Sequence, residues 1–347
     1  MMRIAVDAFG GDNAPDEIVK GSVAAACNLD CEIILVGDET ILKQKLADFG
    51  YTGDKISIRH ASEVISGDES PVDAIRHKRD ASIMVALRLC KDKEADAVVS
   101  AGNTGAYFAG AFRTLGRIKG IRRPALTAFM PTVNKTKSVM MDVGANADCK
   151  PENLAQFAQM GSLYAEKILG IENPKVYLVN IGTEEQKGNE LSQKAYALLK
   201  ENKNINFCGN IESRELTTGF ADVIICDGFT GNVIIKAIEG TSSALFGLLK
   251  KSFMKTLTTK ISALMMKPHI KSLKSMLDYS EYGGVPLLGI DGVVVKAHGS
   301  SNAKAFENAI KSAIVFAETG LNEELRVLYA QKNEVEPIVS ESYIEAN

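Results

Sequence analysis

Short apolar runs alternate with longer amphipathic stretches along most of this chain. The runs are rich in valine and isoleucine, and the stretches between them carry apolar residues at helical spacing. This alternation predicts repeated βα units, and therefore a three-layer α/β/α fold with a mainly parallel sheet. The predicted strands cover residues 4–8, 33–36, 56–58, 97–100, 138–142, 176–180, 223–226 and 293–296.

Most of these strands end in a small polar cluster that contains glycine. Because the strand-to-helix loops of a parallel sheet open on one edge, we expect the clusters to meet in a single crevice there. Glycines let a ligand approach the backbone, and helix N-termini offer free amides, so the crevice suits a phosphate. The clusters are residues 7–13, 100–105, 142–146, 180–183, 227–232 and 298–302.

The clusters supply candidate phosphate ligands. Their glycines expose backbone amides, and their asparagine and threonine side chains add neutral donors at the expected helix N-termini. The same side chains commonly serve only as helix caps, which is the alternative for each of them. The candidates are Gly11, Asn13, Gly102, Asn103, Thr104, Gly105, Gly144, Asn146 and Asn232.

Three ionisable residues are candidates for catalysis. His298 follows a predicted strand and can donate a proton to a leaving group, with a structural histidine as the alternative. Lys187 can neutralise a phosphate, or it can be a solvated lysine at the start of a helix. Asp227 ends a strand, where it can orient a donor or a lysine. The sequence does not decide which side chain moves a proton.

The rhythm of short strands breaks between residues 230 and 282. A long helical pattern there places its apolar positions close to one face. We expect Pro268 to end this helix, so that residues 240–280 form a projecting helical hairpin whose tip is residues 264–268. Its apolar face suits either dimerisation or an interfacial membrane anchor. In the second case the contacts are Leu264, Met265, Met266 and Lys267.

Charge is distributed unevenly, although the net charge of the 347 residues is only −3. Residues 97–141 and 240–277 contain no acid and seven bases each, which is typical of surfaces that meet anionic partners. Residues 322–347 are rich in glutamate and are predicted to be a loosely packed acidic tail. The candidate contacts to an acidic partner are Arg113, Arg117, Arg122 and Arg123.

Composition and missing motifs narrow the class of protein. At 46% hydrophobic, the chain forms a single α/β unit over residues 1–347, with either one core or two lobes. No run reaches the ~18 apolar residues of a membrane span, and no secretory leader is visible, so we expect a cytoplasmic location. The dinucleotide-binding, P-loop, zinc-protease and serine-elbow motifs are absent, and the cysteines form no CxxC pair. We therefore expect no cofactor, no metal and no nucleic-acid partner.

Six segments carry long motifs in a fixed order along the chain. They are residues 3–15, 100–105, 142–146, 180–189, 227–232 and 296–301. Together they closely resemble the bacterial phosphate acyltransferase family, PlsX. The resemblance runs from the first strand to about Gly320 and leaves out the acidic tail. Phe9 stands where the family usually has methionine, and Val285 where alanine is expected, and both are apolar exchanges.

The resemblance implies a fold of the isocitrate dehydrogenase and phosphotransacetylase type. It also implies transfer of a long-chain acyl group from acyl carrier protein to inorganic phosphate, which gives acyl phosphate for phospholipid synthesis. Members of the family are homodimers that work on the inner face of the cell membrane, and the next enzyme is the membrane-bound glycerol-3-phosphate acyltransferase. The arginine-rich stretch suits the acidic carrier protein, and the lysine-rich arm suits the anionic membrane surface.

A direct displacement is the mechanism that we expect. Phosphate held by the loops of Asn103 and Asn146 attacks the thioester carbonyl, and backbone amides stabilise the oxyanion. Two other classes remain open at this point. A nicotinamide-dependent decarboxylating dehydrogenase needs a paired-aspartate metal site and adenosine contacts. A non-catalytic membrane-surface scaffold predicts that changes in residues 102–104 leave function intact.

Overall fold

The computed structural model describes residues 1–134, 136–277 and 283–333. Within these ranges one sheet of 11 strands is flanked by helices. The strands are β1 (Met2–Asp7), β2 (Cys31–Gly37), β3 (Ile56–His60), β4 (Ala97–Ser100), β5 (Ala125–Pro131), β6 (Lys137–Met141), β7 (Lys175–Asn180), β8 (Asn206–Glu212), β9 (Val223–Ile225), β10 (Val285–Leu288) and β11 (Val293–Lys296). The helices are α1 (Asp16–Asn28), α2 (Glu39–Asp48), α3 (Pro71–His77), α4 (Ser82–Lys91), α5 (Thr104–Leu115), α6 (Pro151–Leu169), α7 (Glu190–Glu201), α8 (Gly228–Phe253), α9 (Leu257–Leu277), α10 (Ala303–Glu318) and α11 (Leu321–Asn333).

Helices cover both faces of the sheet because successive strand residues point to opposite sides. In β1, Ile4 joins a buried cluster with Ile18 of α1 and Phe306 of α10. The next residue, Ala5, joins a different cluster with Leu87 of α4. The predicted three-layer α/β/α fold with a mainly parallel sheet is therefore confirmed.

The sheet consists of two parallel sets that an antiparallel pair joins. The strand order is β3-β2-β1-β4-β11-β10-β5-β6-β9-β7-β8. The first five strands are parallel to one another, and so are the last four. Between the sets, β10 and β5 are antiparallel to each other and to their outer neighbours. The sequence pattern did not predict β5, β8 or β10.

This arrangement corrects the prediction that all the strand-end clusters open on one edge. Three antiparallel pairings separate the two sets, so their strands run in opposite directions. Lys296 at the end of β11 pairs with Val285, and Met141 at the end of β6 pairs with Thr127. Since Leu287 pairs with Leu126, both carboxyl ends reach nearly the same level of the sheet. The clusters after β11 and β6 thus approach each other from opposite directions across β5 and β10.

The helical hairpin exists, but its turn lies elsewhere than predicted. Helix α8 ends at Phe253, and α9 begins at Leu257 and packs against α8. Thr256 caps the N-terminus of α9, because its Oγ1 accepts a hydrogen bond of 3.2 Å from the amide of Thr259. Pro268 lies inside α9, where its missing N–H removes one backbone hydrogen bond without ending the helix.

The residues predicted at the tip of the hairpin instead lie along α9. Leu264, Met265, Met266 and Lys267 are all exposed there. Leu257, Ile261 and Leu264 follow i, i+4, i+7 spacing, and their exposed fractions are 79%, 62% and 71%. The part of the arm at residues 278–280 is outside the described residues.

The predicted loosely packed tail does not begin at residue 322. Residues Leu321–Asn333 form α11. Leu321, Leu325 and Tyr329 of this helix are buried at the expected helical spacing of one face. Sequence composition missed this face because Glu323, Glu324 and other polar residues lie between the buried positions. The rest of the predicted tail, residues 334–347, is outside the described residues.

Replacement of Leu325 tests whether α11 belongs to the core. Leu325 has no exposed surface, so Leu325→Ala should lower the free energy of unfolding by about 2–5 kcal/mol through lost burial and a new cavity. The matched control is Val327→Ala on the same helix, where 52% of the side chain is exposed and the expected change is below ~0.5 kcal/mol. Equal effects in urea unfolding would contradict the packing described for α11.

Candidate active site

A cavity of about 480 Å³ lies where the two strand sets meet. Its walls come from the loops after β4, β6 and β11, from one face of α8, and from β5 and β10. Five predicted site residues line it: Thr104, Gly105, Gly144, Asn232 and His298. The structure thus brings together residues that are up to 194 positions apart in the sequence.

Lys296 is the buried cation of this cavity. It is the last residue of β11, lines the cavity and is only 7% exposed. Burial lowers the pKa of its ammonium group from 10.5 to about 8, while the carboxylates of Asp7 and Asp12 oppose that shift. Its Nζ donates a hydrogen bond to the carbonyl of Ala297. Lys296 stands at the end of the apolar run 293–296, and this position was a usable signal in the sequence. Lys296 was nevertheless not among the predicted site residues.

Asp7 is a buried carboxylate behind the cavity. Its two oxygens accept hydrogen bonds of 2.6 Å from the hydroxyls of Ser82 and Ser100. Ser100 Oγ in turn accepts a bond of 3.0 Å from the amide of Gly102. Burial raises the pKa of Asp7, and these hydrogen bonds counteract the rise. Asp7 therefore ties the end of β1 to the end of β4 and fixes the loop that follows.

Asp142 organises the loop after β6 in a similar way. Its Oδ1 accepts hydrogen bonds from the amides of Leu126, Gly144 and Ala145. Its Oδ2 accepts bonds from the backbone and the side-chain amide of Asn146. Burial raises the pKa of Asp142, and the hydrogen bonds of this loop lower it. The carboxylate thus shapes the turn that places Gly144, with its positive φ of 138°, on the cavity wall.

Several predicted phosphate ligands instead hold the loops together. Asn103 caps α5 through its Oδ1, 3.0 Å from the amide of Ala106, and its Nδ2 donates to the carbonyls of residues 66, 67 and 69. Asn146 donates to the carbonyl of Pro124 at 2.7 Å. Asn13 donates to the carbonyls of Ser300 and Ser301. None of these three side chains lines the cavity: Asn103 is a helix cap, whereas Asn13 and Asn146 connect neighbouring loops.

Gly11 and Gly102 are also packing positions. Gly11 has a φ of 108°, and a Cβ there would lie 2.9 Å from Ala101 Cβ and 3.0 Å from the carbonyl oxygen of Gly299. A Cβ on Gly102 would lie 3.2 Å from the Asp7 carboxylate. Neither glycine lines the cavity. They allow the loops after β1, β4 and β11 to pack closely behind it.

The three predicted catalytic residues have different positions. Asp227 caps α8, since its oxygens accept from the amide and hydroxyl of Thr230 at 2.8 and 2.7 Å. Lys187 is exposed in the loop between β7 and α7 and does not line the cavity. His298 lines it. The structure therefore places only the histidine beside the cavity.

The Nδ1 atom of His298 is engaged by the loop that follows it. This nitrogen accepts a bond of 3.2 Å from the amide of Ser300, so the neutral ring carries its proton on Nε2. Burial lowers the pKa of His298, and the positive charge of Lys236 lowers it further. The imidazole is therefore mainly neutral at pH 7.

Helix α8 contributes a polar face that the sequence interpretation recognised only at Asn232. Ile235, Lys236 and Glu239 follow it at i+3, i+4 and i+7, and all line the cavity. Lys236 Nζ lies 2.9 Å from Glu239 Oε2 in an ion pair. Helical spacing from Asn232 was the signal that would have identified both charged residues.

The opposite wall of the cavity is apolar. Leu126 and Ala128 project from β5 on the same side, because residues two apart in a strand share a face. Val143 and Val285 complete this wall, and Ile235 adds an apolar side chain from α8. The cavity therefore joins a cationic end, with Lys296 and Lys236, to an apolar surface.

The predicted partner-binding arginines lie away from the cavity. Arg113 is in the last turn of α5, roughly 14 Å along the helix axis from Thr104 at its start. Arg117, Arg122 and Arg123 follow on the connection to β5, and all four are exposed. Arg122 lies 3.9 Å from Glu152, and the guanidinium of Arg117 donates to the carbonyl of Arg122 at 2.6 Å.

Among the described residues, no group of three metal-ligating side chains is found.

Comparison with known proteins assigns the chain to a family. The model of a family described as fatty acid synthesis protein matches residues 2–324. The phosphate acyltransferase of Alkaliphilus oremlandii is 53% identical over 324 residues, which are 93% of this chain and 96% of that protein. That of Clostridioides difficile is 46% identical over 333 residues, covering 96% and 98%. This chain belongs to the phosphate acyltransferase family. It is an enzyme of the acyltransferase class.

Solved structures support the fold. A phosphotransacetylase from Streptococcus pyogenes matches with a TM-score of 0.63 and 17% identity, covering 92% of this chain and 94% of that one. A branched-chain phosphotransacylase from Enterococcus faecalis matches with a TM-score of 0.56 and 13% identity, covering 91% and 99%. The predicted phosphotransacetylase-like fold is therefore confirmed.

Replacement of Lys296 should reveal the cost of its burial. The folded-state pKa of about 8 lies below the ordinary 10.5, so between these pH values the unfolded chain binds the extra proton. The stability of the wild type should therefore rise by about 1–3 kcal/mol relative to Lys296→Met as the pH increases from 8 to 10.5. Urea unfolding across this range measures the difference. The control is Lys20→Met, at an exposed position. If the difference in stability between wild type and variant is independent of pH for both variants, the burial of Lys296 is contradicted.

Proposed function

We propose that the enzyme transfers a long-chain acyl group from acyl carrier protein to inorganic phosphate, forming acyl phosphate for phospholipid synthesis. The observation that carries this proposal is the amphipathic cavity, where buried Lys296 and the more exposed Lys236 share the lining with apolar side chains. The cationic end suits the phosphate, and the apolar wall suits the acyl chain beside the thioester. The names of the relatives, phosphate acyltransferases, support the same reaction.

The proposed reaction is a direct displacement. A phosphate oxygen attacks the thioester carbonyl, forms the new C–O bond and expels the thiolate as the C–S bond breaks. Lys296 and Lys236 offset the charge of the phosphate, and the amide of Gly105 on the cavity wall is the proposed oxyanion donor. His298 Nε2–H donates toward the leaving sulfur, which takes up the proton that the phosphate loses. No covalent enzyme intermediate forms.

The four arginines after α5 are the proposed docking surface for the carrier protein. Their charges are exposed and belong to the stretch 97–141 that contains no acid. An acidic partner is therefore attracted to this face before its prosthetic group enters the cavity.

The arm of α8 and α9 is the proposed membrane contact of a peripheral enzyme on the inner face of the cell membrane. In the described ranges no helix is both long and apolar enough to cross a bilayer. The exposed Leu257, Ile261 and Leu264 nevertheless form an apolar stripe, and Lys260 and Lys267 on the same helix are exposed. Such a surface suits binding in the plane of an anionic membrane, near the membrane-bound glycerol-3-phosphate acyltransferase. Homodimerisation through the arm is the competing use of the same face.

Product formation tests the proposed reaction. With acyl carrier protein thioester and inorganic phosphate, the wild type should produce hydroxylamine-reactive acyl phosphate with sequential kinetics. Lys296→Met should reduce kcat/KM for phosphate by roughly 100-fold or more, because it removes a buried charge from the anion site. Lys20→Met is the control and should retain wild-type activity. Ping-pong kinetics or a trapped acyl enzyme would contradict direct displacement.

Vesicle binding tests the role of the arm. Leu264→Glu should weaken binding to phosphatidylglycerol vesicles by roughly tenfold or more, since a buried leucine contributes about 1.5–3 kcal/mol. Activity with soluble substrates should not change. The matched control is Ser262→Glu, which adds the same charge at a polar exposed position of α9. Sedimentation of Leu264→Glu separates membrane binding from homodimerisation. If this variant binds vesicles as the wild type does but a dimer dissociates, the face belongs to the contact with a second copy of the chain.

A further inference from the structure

Glu239 places a carboxylate in a cavity that otherwise suits an anion. Lys236, Lys296 and His298 line the same space. A carboxylate beside a phosphate site repels any fully deprotonated oxyanion, which weakens binding. The presence of this carboxylate suggests that the ligand carries a proton, which it shares with Glu239 in a hydrogen bond.

One oxygen of Glu239 has no partner. Oε2 forms the ion pair with Lys236 at 2.9 Å, but Oε1 is buried without a hydrogen bond from any of the described residues. An unsatisfied buried acceptor is destabilising, and more so when it is charged. Because Glu239 lines the cavity, rotation of its carboxylate can turn this oxygen toward a ligand that supplies the missing donor.

The position of Lys236 brings the ligand close to this carboxylate. Lys236 has three N–H donors, and only one is needed for Glu239. An oxyanion that accepts from the same ammonium therefore lies beside the carboxylate, which is 2.9 Å from Nζ. Rotation about the terminal bond of the glutamate is nearly free, so its oxygens can adjust to the ligand.

We propose that Glu239 accepts a hydrogen bond from the P–OH group of the substrate phosphate and thereby selects phosphate over sulfate. This inference rests on the proposed function of the cavity. At neutral pH inorganic phosphate keeps at least one P–OH donor, whereas sulfate has none. Phosphate therefore gains a charge-assisted hydrogen bond to Glu239, whereas sulfate is repelled by the carboxylate.

The test compares wild type with Glu239→Gln in steady-state assays with phosphate as substrate and sulfate as competitor. The glutamine has the same size but can donate to sulfate, and it accepts from P–OH without a charge. We expect KM for phosphate to rise roughly 10- to 100-fold, and the inhibition constant of sulfate to fall. The ratio of the two constants should therefore drop by at least tenfold.

The matched control is Glu190→Gln, which removes another ion-paired glutamate, 2.6 Å from Lys194, on the exposed side of α7. Its ratio should equal that of the wild type. An unchanged ratio for Glu239→Gln, or equal weakening of both anions, overturns the inference, because a purely structural role affects both alike.

Calorimetry of phosphate and sulfate binding to the wild type gives a second measurement that does not depend on the variant. Phosphate should bind at least tenfold more tightly, and equal affinities overturn the inference. Failure of the reaction itself is recognised separately, since it appears as absence of acyl phosphate with the wild-type enzyme whatever the ratio of anion affinities.

Discussion

The antiparallel pairing of β5 with β10 is the constraint on which the site depends. It joins two parallel strand sets that run in opposite directions, and its register sets where their carboxyl ends meet. A shift of one residue would exchange the faces on which Leu126 and Thr127 lie, because side chains alternate along a strand. The apolar wall of the cavity and the level of Lys296 beside it are therefore consequences of one hydrogen-bonded ladder.

Two buried carboxylates fix the loops that surround the cavity beside this ladder. Asp7 fixes the loop after β4 through two serine hydroxyls, and Asp142 gathers the backbone amides of the loop after β6. Backbone amides in tight loops need acceptors, and a buried carboxylate satisfies several at once. These residues do not reach the cavity themselves. They hold Gly144 and Thr104 where a ligand can contact them.

Burial changes the protonation of groups that line the cavity. Burial lowers the pKa values of both Lys296 and His298, so the histidine is mainly neutral near pH 7 while the lysine is mostly protonated. In the proposed reaction, the bound phosphate restores interactions that the ammonium lost on leaving water. The burial of Lys296 lowers stability, as is common where function needs desolvated groups.

The periodicity of the sequence was sufficient to predict the α/β layers, most strands and a cluster of polar loops. It identified the strand ends and helix starts that contain Thr104, Gly105, Gly144, Asn232 and His298, because such features are local, and these residues line the cavity. It could not distinguish ligands from caps, since Asn103 has the same local pattern in either role. The position of the antiparallel pair, the hairpin turn at residues 254–256 and the burial of Lys296 depend on contacts between distant segments. Only the tertiary structure decided these, because strand direction and desolvation are set by neighbours that sequence order does not reveal.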